Sequence, residues 1–197
     1  DQGVVESGKA PTKSPALETT RVIQWVLYYP AILHVDELGL SPTIQEALAD
    51  SLSAYRSGDL LTALAKYPPN RNPENGDERL YLAALLLSAG QVTECEHILA
   101  AVSATPEGRK EMLVEALRKL IESVRQPHSA SNAQPAKTAA VSTNLETGWL
   151  AESYAQQSRL NLTQARAAAR KAAELAPEFG FAWARLAELE FSFGQTQ

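Results

Sequence analysis

The residues able to do chemistry in this sequence are few and scattered. A single cysteine, Cys95, excludes an intramolecular disulfide and a cysteine-based zinc site. It falls at a small-residue position of a helical pattern, and its neighbour His97 points elsewhere on that helix. It therefore reads as a buried structural thiol rather than a nucleophile. Three histidines, His34, His97 and His128, lie far apart and show no metal-ligand spacing. Glu94, Glu96 and His97 are near neighbours whose side chains diverge around a helix, so they make no metal site. Gly58, Gly76, Gly90 and Gly108 are isolated, and none belongs to a nucleotide-binding pattern. No serine sits in a nucleophile elbow. Arg166 and Arg170 are four residues apart and share a helix face, with Lys171 beside them. They read either as a patch for an acidic partner or as a solvated face with alanines turned inward. Asn161-Leu162-Thr163 fits a glycosylation acceptor, but asparagine is also expected at a helix start. The expectation is a chain with no catalytic, cofactor-binding or metal-binding residue, that is, not an enzyme.

Composition narrows the classes further. The chain has 197 residues, with 18 Lys+Arg against 23 Asp+Glu and a net charge of −5. An acidic balance argues against a general nucleic-acid binder. No apolar run approaches the ~18 residues of a membrane span, so no membrane insertion is expected. The first residue is Asp1 rather than Met, which suggests a processed form or an excised fragment and leaves the compartment open.

The elements that would position these residues are helical from residue 41 onward. Residues 1–20 are polar and read as a flexible arm. Residues 21–34, with Trp25, Tyr28 and Tyr29 before Pro30, fit neither helical nor strand periodicity cleanly. They form an aromatic hook that caps the first helices or a docking strand for another domain. Ser41-Pro42 starts a helix that runs to Gly58, and Asp59 caps a short second one. A helix over ERLYLAALLLSA ends at Gly90, and Thr93 with Glu96 makes a capping box for the next. Thr105-Pro106-Glu107 opens another, with Leu113, Leu117, Leu120, Ile121 and Val124 at helical spacing. Residues 126–144 are poor in large apolar residues and read as a linker. Three more helices follow: ETGWLAESYAQQS, TQARAAARKAAELA and FAWARLAELEFSF, with Asn161 and Gln164 as a cap between the first two. The divisions are thus 1–40, 41–125, 126–144 and 145–197.

Trp149 and Trp183 are 34 residues apart and each opens an amphipathic helix, with Ala165, Ala172 and Pro177 between them. This set resembles the tetratricopeptide repeat. Gly58 and Gly90 lie 32 residues apart at the turns of the first block, with Ala63 at a small helix position. The resemblance implies an all-α fold, with antiparallel helix pairs stacked as a right-handed α-α superhelix behind an irregular N-terminal segment. Trp25 and Tyr28-Tyr29-Pro30 also look like the junction in bacterial multidomain proteins that join a FecR-like β domain to such repeats.

The resemblance further implies a concave groove lined by Gln45, Leu48, Leu52, Tyr55 and Arg56, and then by Leu80, Ala84 and Leu87. In the second block it is continued by Leu150, Tyr154, Gln157 and Ser158, and by Ala184, Glu188 and Phe191. Relatives that clamp a chaperone's terminal carboxylate use Lys and Asn where Leu48 and Leu52 stand, so that function does not carry over. The expected function is a protein-binding scaffold that holds a peptide or helix in this groove. Tyr154→Ala is expected to weaken binding with little effect on melting. Alternatives are a self-associating assembly module or the accessory region of a larger enzyme. The last helix carries Phe181, Trp183, Phe191 and Phe193 around more than one face, which a terminal repeat helix should not. Either the chain is cut from a longer array, or the hook covers this helix, or a second copy does. A homodimer would then use Trp183, Phe191 and Phe193, or else Trp25, Tyr28 and Tyr29.

Overall fold

A computed structural model describes residues 31–103, 108–125 and 144–194. The 1–20 arm, Trp25, Tyr28 and Tyr29, the Thr105-Pro106-Glu107 start and the 126–143 stretch lie outside the described residues. Among those described, every regular element is helical: a 3₁₀ turn (Val35–Glu37) and nine α-helices, with no strand.

Local chemistry sets the boundaries in the first half. Ser41 Oγ accepts the Ile44 N–H at 3.3 Å, and Pro42 occupies the first turn of α1 (Pro42–Ala47). The expected continuous helix is broken at Leu48, whose φ of −107° and ψ of 9° separate α1 from α2 (Ala49–Arg56). Asp59 caps α3 (Leu60–Lys66) through the Thr62 N–H at 3.1 Å. Asn75 caps α4 (Gly76–Ser88) through the Glu78 N–H at 2.9 Å. Helix α5 (Val92–Ser103) begins before Thr93, so Thr93 is not its cap. Helix α6 (Gly108–Arg125) buries Leu113, Leu117, Leu120 and Ile121, as its periodicity requires. The second half follows with α7 (Glu146–Ser158), α8 (Leu162–Leu175) and α9 (Gly180–Ser192). Asn161 stands at the N-cap of α8 as expected, but its side chain makes no cap hydrogen bond and donates to Gln156 Oε1 at 3.0 Å instead.

Three of the turns between paired helices are built alike. After α2, Gly58 takes φ +84° and the Asp59 N–H donates to Ala54 O at 3.0 Å. After α4, Gly90 takes φ +76° and the Gln91 N–H donates to Leu86 O at 2.8 Å. After α7, Leu160 takes φ +64° and the Asn161 N–H donates to Gln156 O at 2.9 Å. These are Schellman caps, which glycine closes without strain. A side chain in this conformation costs about 1–2 kcal/mol, and the greater freedom of unfolded glycine returns roughly 0.5–1 kcal/mol of that. Leu160→Gly is therefore expected to stabilise the chain by about 0.5–1 kcal/mol, read as a higher urea midpoint at unchanged slope.

Consecutive helices pack on one another from α1 to α9, and contacts to the next helix but one join α4 with α6 and α7 with α9. Alanine makes the closest approaches in the second half. Ala165, Ala169, Ala172 and Ala173 are fully buried on α8, so α8 can sit close against both α7 and α9.

Segment 31–40 has no regular structure apart from its 3₁₀ turn, and Ala31, Ile32, Leu33, Val35, Leu38 and Leu40 on it are all buried. It is tied to both halves. Tyr55 Oη on α2 donates to Leu33 O at 3.0 Å, and the His34 N–H donates to Thr147 Oγ1 on α7 at 2.8 Å. Further along, the Gly39 N–H donates to Asp77 Oδ1 on α4 at 3.2 Å, and Gln45 Nε2 on α1 donates to Leu40 O at 2.8 Å.

Candidate functional site

The segment, the end of α2 and the α8–α9 turn enclose a cavity of about 270 Å³. Its apolar wall is Leu33, Tyr55, Phe179 and Phe181. The rings interlock edge to face, Tyr55 with Phe181 at 5.4 Å and Phe179 with Phe181 at 6.0 Å between centroids. Its polar wall is His34, Asp36, Arg56 and Glu178. The His34 ring is stacked on Phe179 at 4.7 Å. Its Nε2 lies 3.6 Å from Asp36 Oδ2 and 3.9 Å from Glu178 Oε1, and its Nδ1 lies 3.7 Å from Glu146 Oε2. Arg56 Nη2 donates to the other Asp36 oxygen at 2.7 Å. These three side chains, His34, Asp36 and Glu178, bring one ligand atom each to within 4.8 Å of one another.

Behind His34, Glu37 and Glu146 share a buried corner. Burial, with the Glu146 carboxyl beside it, pushes Glu37 up to about 8. Burial also acts to raise Glu146, but the neighbouring Glu37 carboxyl and the nearness of His34 hold it below its ordinary value. Glu37 thus keeps a proton at neutral pH and Glu146 keeps a charge.

The residues expected to line a groove are placed differently from one another. Tyr55 and Tyr154 are buried. Tyr55 serves the cavity wall, and Tyr154 lies under Arg185, whose guanidinium sits 4.1 Å from the ring centroid. Arg185 is only 4% exposed and also takes up the other predicted contacts. It donates to Gln157 Oε1, to Glu188 Oε2 at 3.1 Å and to Ser153 Oγ at 3.1 Å. Tyr154→Ala would therefore open a hole under a buried cation, and the expected small effect on melting does not hold. Gln45 is exposed and bonded to Leu40 O, and Arg56 is paired with Asp36. Phe191 is open to solvent at 71% exposure.

The residues expected to define a repeat divide similarly. Ala63, Ala165 and Ala172 are fully buried, and Gly58 and Gly90 form the turns just described. Trp149 packs half-buried against the core, whereas Trp183 is 48% exposed with its Nε1 donating to Pro177 O at 2.9 Å. On α9, Trp183, Ala187 and Phe191 follow one another at every fourth residue, and all are exposed. The basic pair is engaged within the chain: Arg166 and Arg170 share the single carboxylate of Glu190, and Arg166 lies 4.3 Å from the Phe193 ring centroid. Cys95 is fully buried, and burial pushes its thiol up to about 12. No helix among the described residues is long and apolar enough to cross a membrane.

Sequence reasoning missed the His34 cluster because Glu178 lies far along the chain from it. It missed Arg185 because an arginine in an alternating helix usually points to water. Comparisons with protein families, with curated proteins and with solved structures find no match to this chain.

Proposed function

We propose that this chain is a non-catalytic scaffold of tetratricopeptide kind that binds another polypeptide. The sequential packing of the helices supports that reading, together with the shared turn geometry and the alanine-lined contacts of α8. The observation that carries it is the apolar stripe of Trp183, Ala187 and Phe191 on α9, left open beside a well-filled core. The groove register expected from the repeat is filled by segment 31–40 and by Arg185, so the binding surface moves to α9. A rigid helix that presents preformed aromatic anchors loses little entropy when a partner helix docks.

A photo-crosslinking side chain at Phe191 tests this reading in the full chain. It is expected to give one discrete adduct, lost with Trp183→Ser, while the same group at Lys171 on the exposed side of α8 gives none. The adduct's mass tells a second copy from a different partner. Equal labelling from both positions, or none from Phe191, removes the stripe as a binding surface.

A further inference from the structure

We propose that His34, Asp36 and Glu178 form a binding site for a divalent transition-metal ion, with Zn²⁺ as its probe. The geometry fits such an ion better than it fits a hydrogen-bonded histidine. The His34 ring is nine-tenths buried, yet its Nδ1 has no hydrogen-bond partner. The oxygens facing its nitrogens stand at 3.6, 3.7 and 3.9 Å, too long for hydrogen bonds. A tetrahedral ion with bonds of about 2.0–2.1 Å sets its ligands roughly 3.3–3.4 Å apart. The His34–Asp36 separation is close to that value, whereas the three ligand atoms span up to 4.8 Å, so the exposed Glu178 side chain has to swing inward to complete the set.

The surroundings supply the rest of a metal site. Glu146 lies on the Nδ1 side at 3.7 Å, and a small turn of the ring on metal binding would let it accept a hydrogen bond from Nδ1–H and leave the Nε2 lone pair for the ion, as carboxylates do behind metal-bound histidines. Stacking on Phe179 fixes the plane of the ring. Arg56 engages one Asp36 oxygen and leaves Oδ2 facing His34. Two carboxylates balance the charge of a divalent ion, and the adjoining cavity leaves room for a water or a ligand at a fourth position. An imidazole with only two carboxylates suits zinc-like ions better than Ca²⁺ or Mg²⁺, which take more oxygens and no nitrogen. The ion would join segment 31–40 directly to the α8–α9 turn.

The test titrates Zn²⁺ into the metal-stripped full chain by calorimetry and follows the imidazole nitrogens by NMR, where three histidines give three resolvable rings. One ion is expected per chain, with the His34 nitrogens shifted and the melting temperature raised. Asp36→Asn and Glu178→Gln change exposed side chains and keep the fold. Each is expected to weaken binding roughly tenfold or more, with unchanged circular dichroism. Glu174→Gln, exposed on α8 and outside the cluster, is expected to bind as the parent does. Absence of saturable binding, parent-like binding in both carboxylate variants, or shifts at His97 or His128 in place of His34 overturns the proposal.

Discussion

Glu78→Ala is expected to destabilise the chain by about 3 kcal/mol, because it removes a buried carboxylate on which four hydrogen bonds converge and leaves their donors unpaired, although the part-exposed Arg71 keeps Glu74 as a partner. The Glu78 carboxylate is completely enclosed. One oxygen accepts from Tyr67 Oη at 3.0 Å and from Arg71 Nε; the other accepts the Glu74 N–H at 2.9 Å and Arg71 Nη2 at 3.3 Å. Its position in the first turn of α4 adds the favourable end of the helix dipole. The loop over 68–75 is therefore wound around a single anion. Thermal melting should fall by roughly 2–4 °C per kcal/mol, or about 10 °C in all. A loss under about 1 kcal/mol would mean that the loop does not depend on this group.

The same carboxylate predicts an acid response. Burial works to raise its pKa, but the Arg71, Glu74 and Tyr67 hydrogen bonds outweigh burial and hold it below the ordinary 4.5. A carboxyl lowered on folding contributes its full stability above its unfolded pKa and loses it as pH falls through the folded one. The stability gap between the parent and Glu78→Gln should thus be constant above about pH 5 and close below pH 4.

Arg185→Ala is the second large effect, expected at about 3 kcal/mol. The guanidinium ties α9 to α7 through Ser153, Gln157 and the face of Tyr154. Truncation leaves a cavity over a buried tyrosine and frees the polar groups that it holds. Arg185→Lys is expected to recover less than half, since an ammonium cannot fork to three partners while stacking on a ring. Denaturant midpoints for the two variants check this, and parity of lysine with arginine would show that charge alone matters.

The sequence was most legible where one helix period ran unbroken between clear stops. Helices α7 to α9 follow its patterning closely, because the small residues at every third or fourth position of α8, Ala165, Ala168, Ala169, Ala172 and Ala173, make one continuous buried face. It was least legible where burial had no period. Ile32, Leu33, Val35, Leu38 and Leu40 fill the interior from chain that is mostly irregular, and no helical or strand spacing marks them. The break at Leu48 carries no glycine or proline and keeps its apolar residue on the helical register. The predicted groove failed at Tyr55 and Tyr154 for a related reason. Their helix register can be read locally, but what covers them is a carbonyl from Leu33 and an arginine on another helix.

An open stack of helix pairs melts piecemeal, because each pair answers only to its neighbours. Here the stretch at 31–40 bonds to α1, α2, α4 and α7 and lines a cavity with the α8–α9 turn. Loosening the start of α9 uncovers Phe179 and His34, and that bears in turn on the Leu33 carbonyl held by Tyr55. The stretch therefore acts as a drawstring that couples helices far apart in the chain, and a single cooperative unfolding event is expected.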